Sequence, residues 1–323
     1  MMRTETLSAR PNTKTGRKTF TRWTKTPVLN LLTTSGMPVF RISCLFVIAL
    51  VCSETLYGQT DIRDYNTRYV GEFGLEGGVA EYFGDLNTRS SFQSVKPTVG
   101  LFYRYFFSDY LGASAHLHFA EVGFSDYYNT NTFEHTRNLS FDSNIWDFSV
   151  RWDVNFFHFV PGSVSYRFTP YFSLGLGAMH FNPYTYYDNH KYYLQPLGTE
   201  GQGSPLYPGR KPYSLWTLEV PVGVGVKYNL NRSWNVAASA TYYFTRTDYL
   251  DDVSKTYAGQ AAFPPDPEGG QTLSSILQDR SGVYGTPIGV AGRQRGNSRN
   301  FDQFIGIEIS IAYLLDSYHC PEF

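Results

Sequence analysis

From residue 69 onward the dominant period of the sequence is two. Trp216, Leu218, Val220, Val222, Val224, Val226 and Tyr228 are interleaved with Thr217, Glu219, Pro221, Gly223, Gly225 and Lys227. One face of that segment is wholly apolar with an aromatic at each end, and the other is small or charged. Trp146, Phe148, Val150, Trp152, Val154 and Phe156 stand in the same way against Asp147, Ser149, Arg151, Asp153 and Asn155. Phe168–Leu176, Trp234–Phe244 and Ile305–Tyr313 repeat the pattern, and weaker versions cover about 69–83, 97–107 and 111–122, the last losing phase near Ala120. Successive side chains of a strand point to opposite faces, so alternation this strict calls for sheets bordered by two different solvents.

A soluble sandwich also alternates, and two features separate the cases. The apolar faces end in Trp, Tyr or Phe, as the aromatic girdles of a membrane barrel do. The opposite faces carry Arg104, Arg151, Arg167, Glu219, Lys227 and Glu308. A small barrel can pair such groups in its lumen, whereas a sandwich core would bury them unpaired. A soluble lipocalin-like barrel is disfavoured for the same reason. Charged residues make up only 17% of the chain and aromatics another 17%, against roughly 25% charged in ordinary soluble domains. No 20-residue apolar run follows residue 60, which excludes helical membrane spans.

The connections support this reading. They run long (84–95), short (107–110), long (123–143), moderate (157–165), long (182–213), short (229–232) and very long (248–301). Short periplasmic turns alternating with longer extracellular loops is the outer-membrane arrangement. The expected fold is therefore all-β, an eight-stranded antiparallel transmembrane β-barrel over 69–314, with both termini periplasmic.

Residues 1–36 are basic and without apolar period, and read as an upstream extension ahead of a natural start at Met37. Residues 37–58 have a positive start, the short apolar run Cys44–Cys52 and a small-residue end before Gln59, the pattern of a secretory signal. Cys52 makes a poor lipobox after Ala49-Leu-Val51. Cleavage at 58 removes eight Lys/Arg and two Asp/Glu and leaves 19 basic against 26 acidic residues. Residues 59–68 form an N-terminal periplasmic segment and 315–323 a periplasmic tail. Of the three cysteines only Cys320 then remains, so no internal disulfide is expected.

No metal-ligand spacing, phosphate loop or nucleophile elbow appears, and no catalytic residue or cofactor is expected. His116 and His118 share the polar face of one strand and read as lumen filling rather than as a ligand pair. Asp248, Asp251 and Asp252 could hold Ca²⁺, but their spacing is not that of an EF-hand loop. A hydrogen-bonding cluster at the base of a loop fits them better. Gly198-Thr-Glu-Gly-Gln-Gly203 precedes no helical pattern, so a nucleotide site is not indicated.

Several loop-base stretches stand in a recognisable order: Gly84-Asp-Leu-Asn87, Arg137-Asn-Leu-Ser-Phe141, Phe181-Asn-Pro183, Leu197-Gly-Thr-Glu-Gly-Gln-Gly203, Thr247-Asp-Tyr-Leu-Asp-Asp-Val-Ser254, Arg293-Gln-Arg-Gly296 and the tail Cys320-Pro-Glu-Phe323. Together they resemble the PorG-like outer-membrane barrels of Bacteroidetes, over about residues 69–323. The resemblance implies a non-enzymatic anchor or accessory subunit of the type IX protein secretion apparatus, associated with a periplasmic lipoprotein ring of the PorK and PorN type. Tyr318, His319, Cys320, Pro321 and Phe323 are the candidate partner contact. Glu200, Asp248, Asp251 and Asp252 are the candidate loop-base structural motif. Outer-membrane lipid is the expected surrounding and no nucleic-acid partner is implied. The alternatives are a small-solute channel of the OmpW type, which needs a lumen poor in bulky side chains, and a lipid-modifying barrel enzyme.

Overall fold

The computed structural model describes residues 71–315. The segments expected as extension, signal and periplasmic lead (1–36, 37–58, 59–68) and residues 316–323 of the tail lie outside them. Strands β1 (Gly71–Phe83), β2 (Lys96–Phe106), β3 (Leu111–Ser125), β4 (Ser140–Asn155) and β5 (Phe168–Tyr187) form an antiparallel meander. It continues through β7 (Trp216–Asn229), β8 (Trp234–Thr245) and β9 (Gln303–Leu315). β1 pairs with β9, from Gly71↔Leu315 to Phe83↔Gln303, and closes the sheet into an eight-stranded barrel. The short β6 (His190–Tyr193) only extends β5 as a hairpin above the wall. β9 reaches Leu315, one residue into the segment expected to hang free.

The alternation places side chains as expected. Leu176 and Ile309 on the outer face are 72% and 71% exposed, whereas Arg151 and Lys227 on the inner face are 3% and 2% exposed. The outer face carries Phe73, Leu75, Val99, Leu101, Phe148, Trp152, Leu174, Val224 and Ile307 around the ring. An apolar exterior around a charged interior inverts the order of a soluble protein, and closure leaves no unpaired edge in the eight-stranded wall. The chain is an integral barrel of the outer-membrane type.

β3 does not lose phase at Ala120. Its ladder with β4 runs unbroken from Leu111↔Val154 to Ser125↔Ser140. What changes is polarity. Below this height the inward positions include His116, His118, Asp147 and Arg151; above it they are Ala120, Val122, Phe124, Phe141 and Ile145, with Ser143 the polar exception, all buried. The outward positions meanwhile become Glu121, Asp142 and Asn144. A membrane strand needs only about 9–11 tilted residues, and β4 and β5 have 16 and 20. Their upper parts therefore stand in water and bury an ordinary apolar core. This is also why β4 starts at Ser140 and β5 runs to Tyr187, beyond the limits the outer-face pattern marks.

Four long connections rise from this end: L1 (84–95), L2 (126–139), L3 (188–215) and L4 (246–302). L2 holds the helix α1 (Thr132–Arg137) and L4 holds α2 (Leu273–Gln278). Leu86, Leu139, Leu194, Leu250, Val253 and Leu277 descend from the loops onto Tyr82, Met179, Phe181, Tyr243 and Phe304 of the wall. The loops fold down into a cap with its own core.

Candidate functional site

The lumen is a charged core. Arg104 Nε lies 2.6 Å from Asp153 Oδ2 and also pairs with Glu72. Lys227 Nζ lies 2.9 Å from the same Asp153 oxygen. His118 sits between Asp147 and Glu308, 2.7 Å from each, and His116 is 2.9 Å from Glu76. Both histidines thus fill the lumen, as their strand phase implied. Phe102 and Tyr171 lie along the Arg104 and Lys227 side chains, and Arg151 Nη2 donates to the hydroxyl of Tyr243 at 3.1 Å.

Both mouths are covered. At the end of the short turns, the connection 156–167 folds inward, and Phe159 is fully buried with its ring centroid 6.0 Å from Phe106. Asn229 Nδ2 holds it in place by donating to the Val160 carbonyl at 2.7 Å. The gap left between Phe159, Glu72, Arg104 and Lys227 has no room for a water molecule. The cap closes the other mouth.

Four loops contribute to the polar heart of that cap. L2 supplies Arg137, the last residue of α1; Asn138 then turns left-handed, at φ 54°, and ends the helix. The Arg137 guanidinium grips Asp126 with two bonds of 2.7 Å and donates to the carbonyls of Asp85 in L1 and Arg295 in L4. L3 supplies Glu200, in a turn where Gly198 and Gly201 both take positive φ. Glu200 Oε1 accepts from the backbone N–H groups of Ser254 and Lys255, each at 2.9 Å. Arg295 Nη1 lies 3.4 Å from that oxygen and donates to the Asp252 carbonyl at 2.6 Å. Asp252, itself at φ 64°, accepts from Thr199 and from the Tyr213 hydroxyl. Asp251 and Asp302 meet at Tyr82, and Asp85 Oδ2 accepts from Asn297 N–H at 2.7 Å. Gly296 lies so close that a Cβ there would stand 2.3 Å from that Asp85 oxygen.

The structure therefore brings together the four residues singled out at the loop bases. Glu200 and Asp252 share Arg295; Asp251 and Asp248 lie on the same L4 turn. Burial lifts Asp251 and Asp302 well above the usual carboxylate range, each raised further by the other acids around it. Burial also raises Asp248 to about 8, with the charges of Asp85 and Glu200 adding to the effect of desolvation. Asp252 is raised to about 6 by burial against the pull of Arg295. Among the described residues no three His, Cys, Asp or Glu side chains are placed to share a metal ion. The candidate partner contact at Tyr318, His319, Cys320, Pro321 and Phe323 lies outside the described residues.

Sequence reasoning did not single out Tyr82, Asp126 or Asp302. Tyr82 and Asp302 take their roles from partners far along the chain, and although the partners of Asp126 lie within 13 residues, nothing in local spacing marks a loop aspartate that will be buried. The signal that was present is Tyr82 itself, a polar-capable aromatic on the inward phase of β1.

Residues 63–260 match the family described as a domain of unknown function, DUF6089, a span of more than half the chain. The chain belongs to the DUF6089 family. The match takes in β1 to β8 of this DUF6089 barrel and ends in L4, before the closing strand. No curated protein matches the sequence. Among solved structures, the N-terminal barrel domain of Pseudomonas aeruginosa OprF is similar at 10% identity and a TM-score of 0.32, covering 77% of this chain and 100% of that one. Neisserial surface protein A gives 9% identity and 0.37 over 75% and 96%. Ail of Yersinia pestis gives 10% and 0.34 over 77% and 100%. The fold of this DUF6089 member rests on its own closed ladder and inverted burial.

Proposed function

We propose that the chain is a non-enzymatic, non-conducting outer-membrane anchor. In its finer form it is an accessory subunit of the type IX secretion apparatus that presents its short turns and C-terminal tail to a periplasmic lipoprotein ring of the PorK and PorN type. One observation carries the reading: the lumen is filled by ion pairs and aromatic rings, and both mouths are covered, so the molecule has surfaces to offer rather than a passage. An eight-stranded interior is narrow enough for side chains alone to fill. The small-solute channel would need a lumen poor in bulky groups, where this one holds Phe102, Tyr171 and Tyr243. The cap carboxylates accept from backbone amides, phenols and guanidinium groups, which favours a structural over a catalytic role. The finer reading draws on the order of the loop-base stretches, of which those in L1 to L4 meet in one interlocked cap.

The test is affinity purification from detergent-solubilised outer membrane, with the whole chain and with a form truncated after Leu315. The whole chain is expected to bring down a periplasmic lipoprotein ring, and the truncated form to insert normally but lose it. Recovery of no ring component with the whole chain sinks the secretion reading. Undiminished recovery with the truncated form removes the tail from the contact.

A further inference from the structure

An open cleft of about 540 Å³ lies on the outer side of the cap, between L3 and the two arms of L4. Its walls carry Arg210, Lys255 and Arg299, together with Thr256, Gln294, Asn297 and two serines; no carboxylate and no apolar side chain lines it. The arms are joined by the bridge Thr256↔Gln294. Arg210 is fixed: it stacks on Tyr207 at 4.2 Å and donates to the Glu200 carbonyl at 2.6 Å and to Thr256 O and Oγ1 at 2.9 and 2.6 Å. The backbone of Lys255 is equally rigid, because its N–H donates to Glu200 and its carbonyl accepts from the N–H groups of Arg295 and Gly296, all at 2.9 Å. Arg210, Lys255 and Arg299 form no ion pair among the described residues. Of the neighbouring acids, Glu200 and Asp252 turn inward toward Arg295 and Asp85 toward Asn297 N–H, while Asp248 is held by Ser254 and lies within electrostatic range of Lys255 without forming an ion pair.

From this we infer that the cleft binds a phosphorylated sugar. Two cations on rigid roots and a third, Arg299, on an exposed turn, none of them in an ion pair among the described residues, call for an anion. Hydroxyl and amide groups on the remaining wall suit a ligand that offers hydroxyls on its other faces, and the absence of apolar lining disfavours a lipid chain. The volume falls in the range of about 300–1,000 Å³ usual for small-molecule sites, enough for one or two sugar rings. Such chemistry has two sources at a bacterial surface: the phosphorylated core of lipopolysaccharide, and free sugar phosphates.

The experiment titrates the full chain in detergent micelles with glucose 6-phosphate, glucose, inorganic phosphate, and a delipidated lipopolysaccharide core oligosaccharide before and after phosphatase treatment. Saturable binding is expected for at least one phosphorylated sugar. It should weaken at least tenfold in the Lys255→Glu, Arg299→Glu double variant, whose folding is checked by heat-modifiable gel mobility. Binding of the phosphorylated oligosaccharide alone assigns the site to the membrane's own lipid; comparable binding of glucose 6-phosphate assigns it to a soluble ligand. The proposal is overturned if neither phosphosugar saturates, if glucose or inorganic phosphate binds as well as they do, or if the folded double variant binds unchanged.

Discussion

The phenol oxygen of Tyr82, near the top of the first strand, lies 2.6 Å from a carboxylate oxygen of Asp251, 169 residues later in the chain. Asp302 reaches the same phenol at 2.8 Å. A phenol has one proton to donate, so both contacts can be hydrogen bonds only when one of the two acids is itself protonated and donates to the phenol. This three-residue knot joins β1 to both ends of L4, since Asp302 Oδ2 also accepts from Leu250 N–H at 2.9 Å and Asp251 Oδ1 from Val253 N–H at 2.8 Å.

Tyr82→Phe keeps the ring in the cap core and removes the shared hydroxyl. It is expected to destabilise the cap by about 1–3 kcal/mol, the cost of leaving a buried donor and a buried acceptor unsatisfied. Hydrogen exchange at Leu250 and Val253 should quicken while amides in the β3–β4 ladder stay protected. Unchanged exchange at both loop amides would show that the knot contributes nothing.

Raising the pH should loosen the cap. Asp248 titrates at about 8, Asp85 and Asp252 at about 6, and Asp251 and Asp302 are shifted the same way, all above the unfolded value near 4. An acid with a raised folded-state pKa binds its proton more tightly when folded. Its stabilising contribution is complete below about pH 4 and is lost as the pH climbs through the folded value. Cap protection factors, corrected for intrinsic exchange, should therefore fall between pH 5 and pH 8. A rise over that interval would contradict the assigned directions.

Arg295→Met removes the cation that Glu200 and Asp252 share and leaves two buried acids facing each other. Loss of one partner from a buried pair typically costs about 3–5 kcal/mol. The separation of L3 from L4 should appear as new protease cuts between residues 198 and 215, with the barrel fragment intact. An uncut variant would place the strength of the cap elsewhere.

On β7, Val222 faces lipid and Gly223 faces the lumen, beside Ser173 and Thr241. Val222→Arg near the bilayer midplane should cost about 2–4 kcal/mol in lipid folding assays. Gly223→Ser asks that the Ser173 hydroxyl turn aside and the Thr241 hydroxyl give slightly, and should cost far less. The reverse order would mean that the wall is inside out.

In planar bilayers the inserted chain should give no sustained conductance steps, because Phe159 and the cap occupy the two mouths. Reproducible steps at moderate voltage would contradict a filled lumen and revive the channel.

Much of the barrel could be read from the chain because lipid imposes a simple rule on every outward residue. Trp146–Phe156 and Trp216–Tyr228 obey it over their whole length, and the ladders place them as read. The rule fails where lipid ends. Ala120 looked like a break in phase because Val122 and Phe124, apolar like the lipid face below, point inward into a water-bounded core. The cap was legible only in part. Glu200, Asp251 and Asp252 could be marked as a cluster, but Arg137 and Arg295, buried among loop carbonyls, have the same local sequence signature as solvent-exposed cations. Their burial depends on four loops arriving together.

That dependence gives the inversion above Trp146 a meaning for biogenesis. The cap core draws on β1 through Tyr82, on β3 and β4 through Val122 and Ile145, on β5 through Phe181, on β8 through Tyr243 and on β9 through Phe304. It has no complete partner set until the first and last strands have zipped. A nascent barrel stalled with an open seam would expose these side chains to the external medium, and only a finished one hides them.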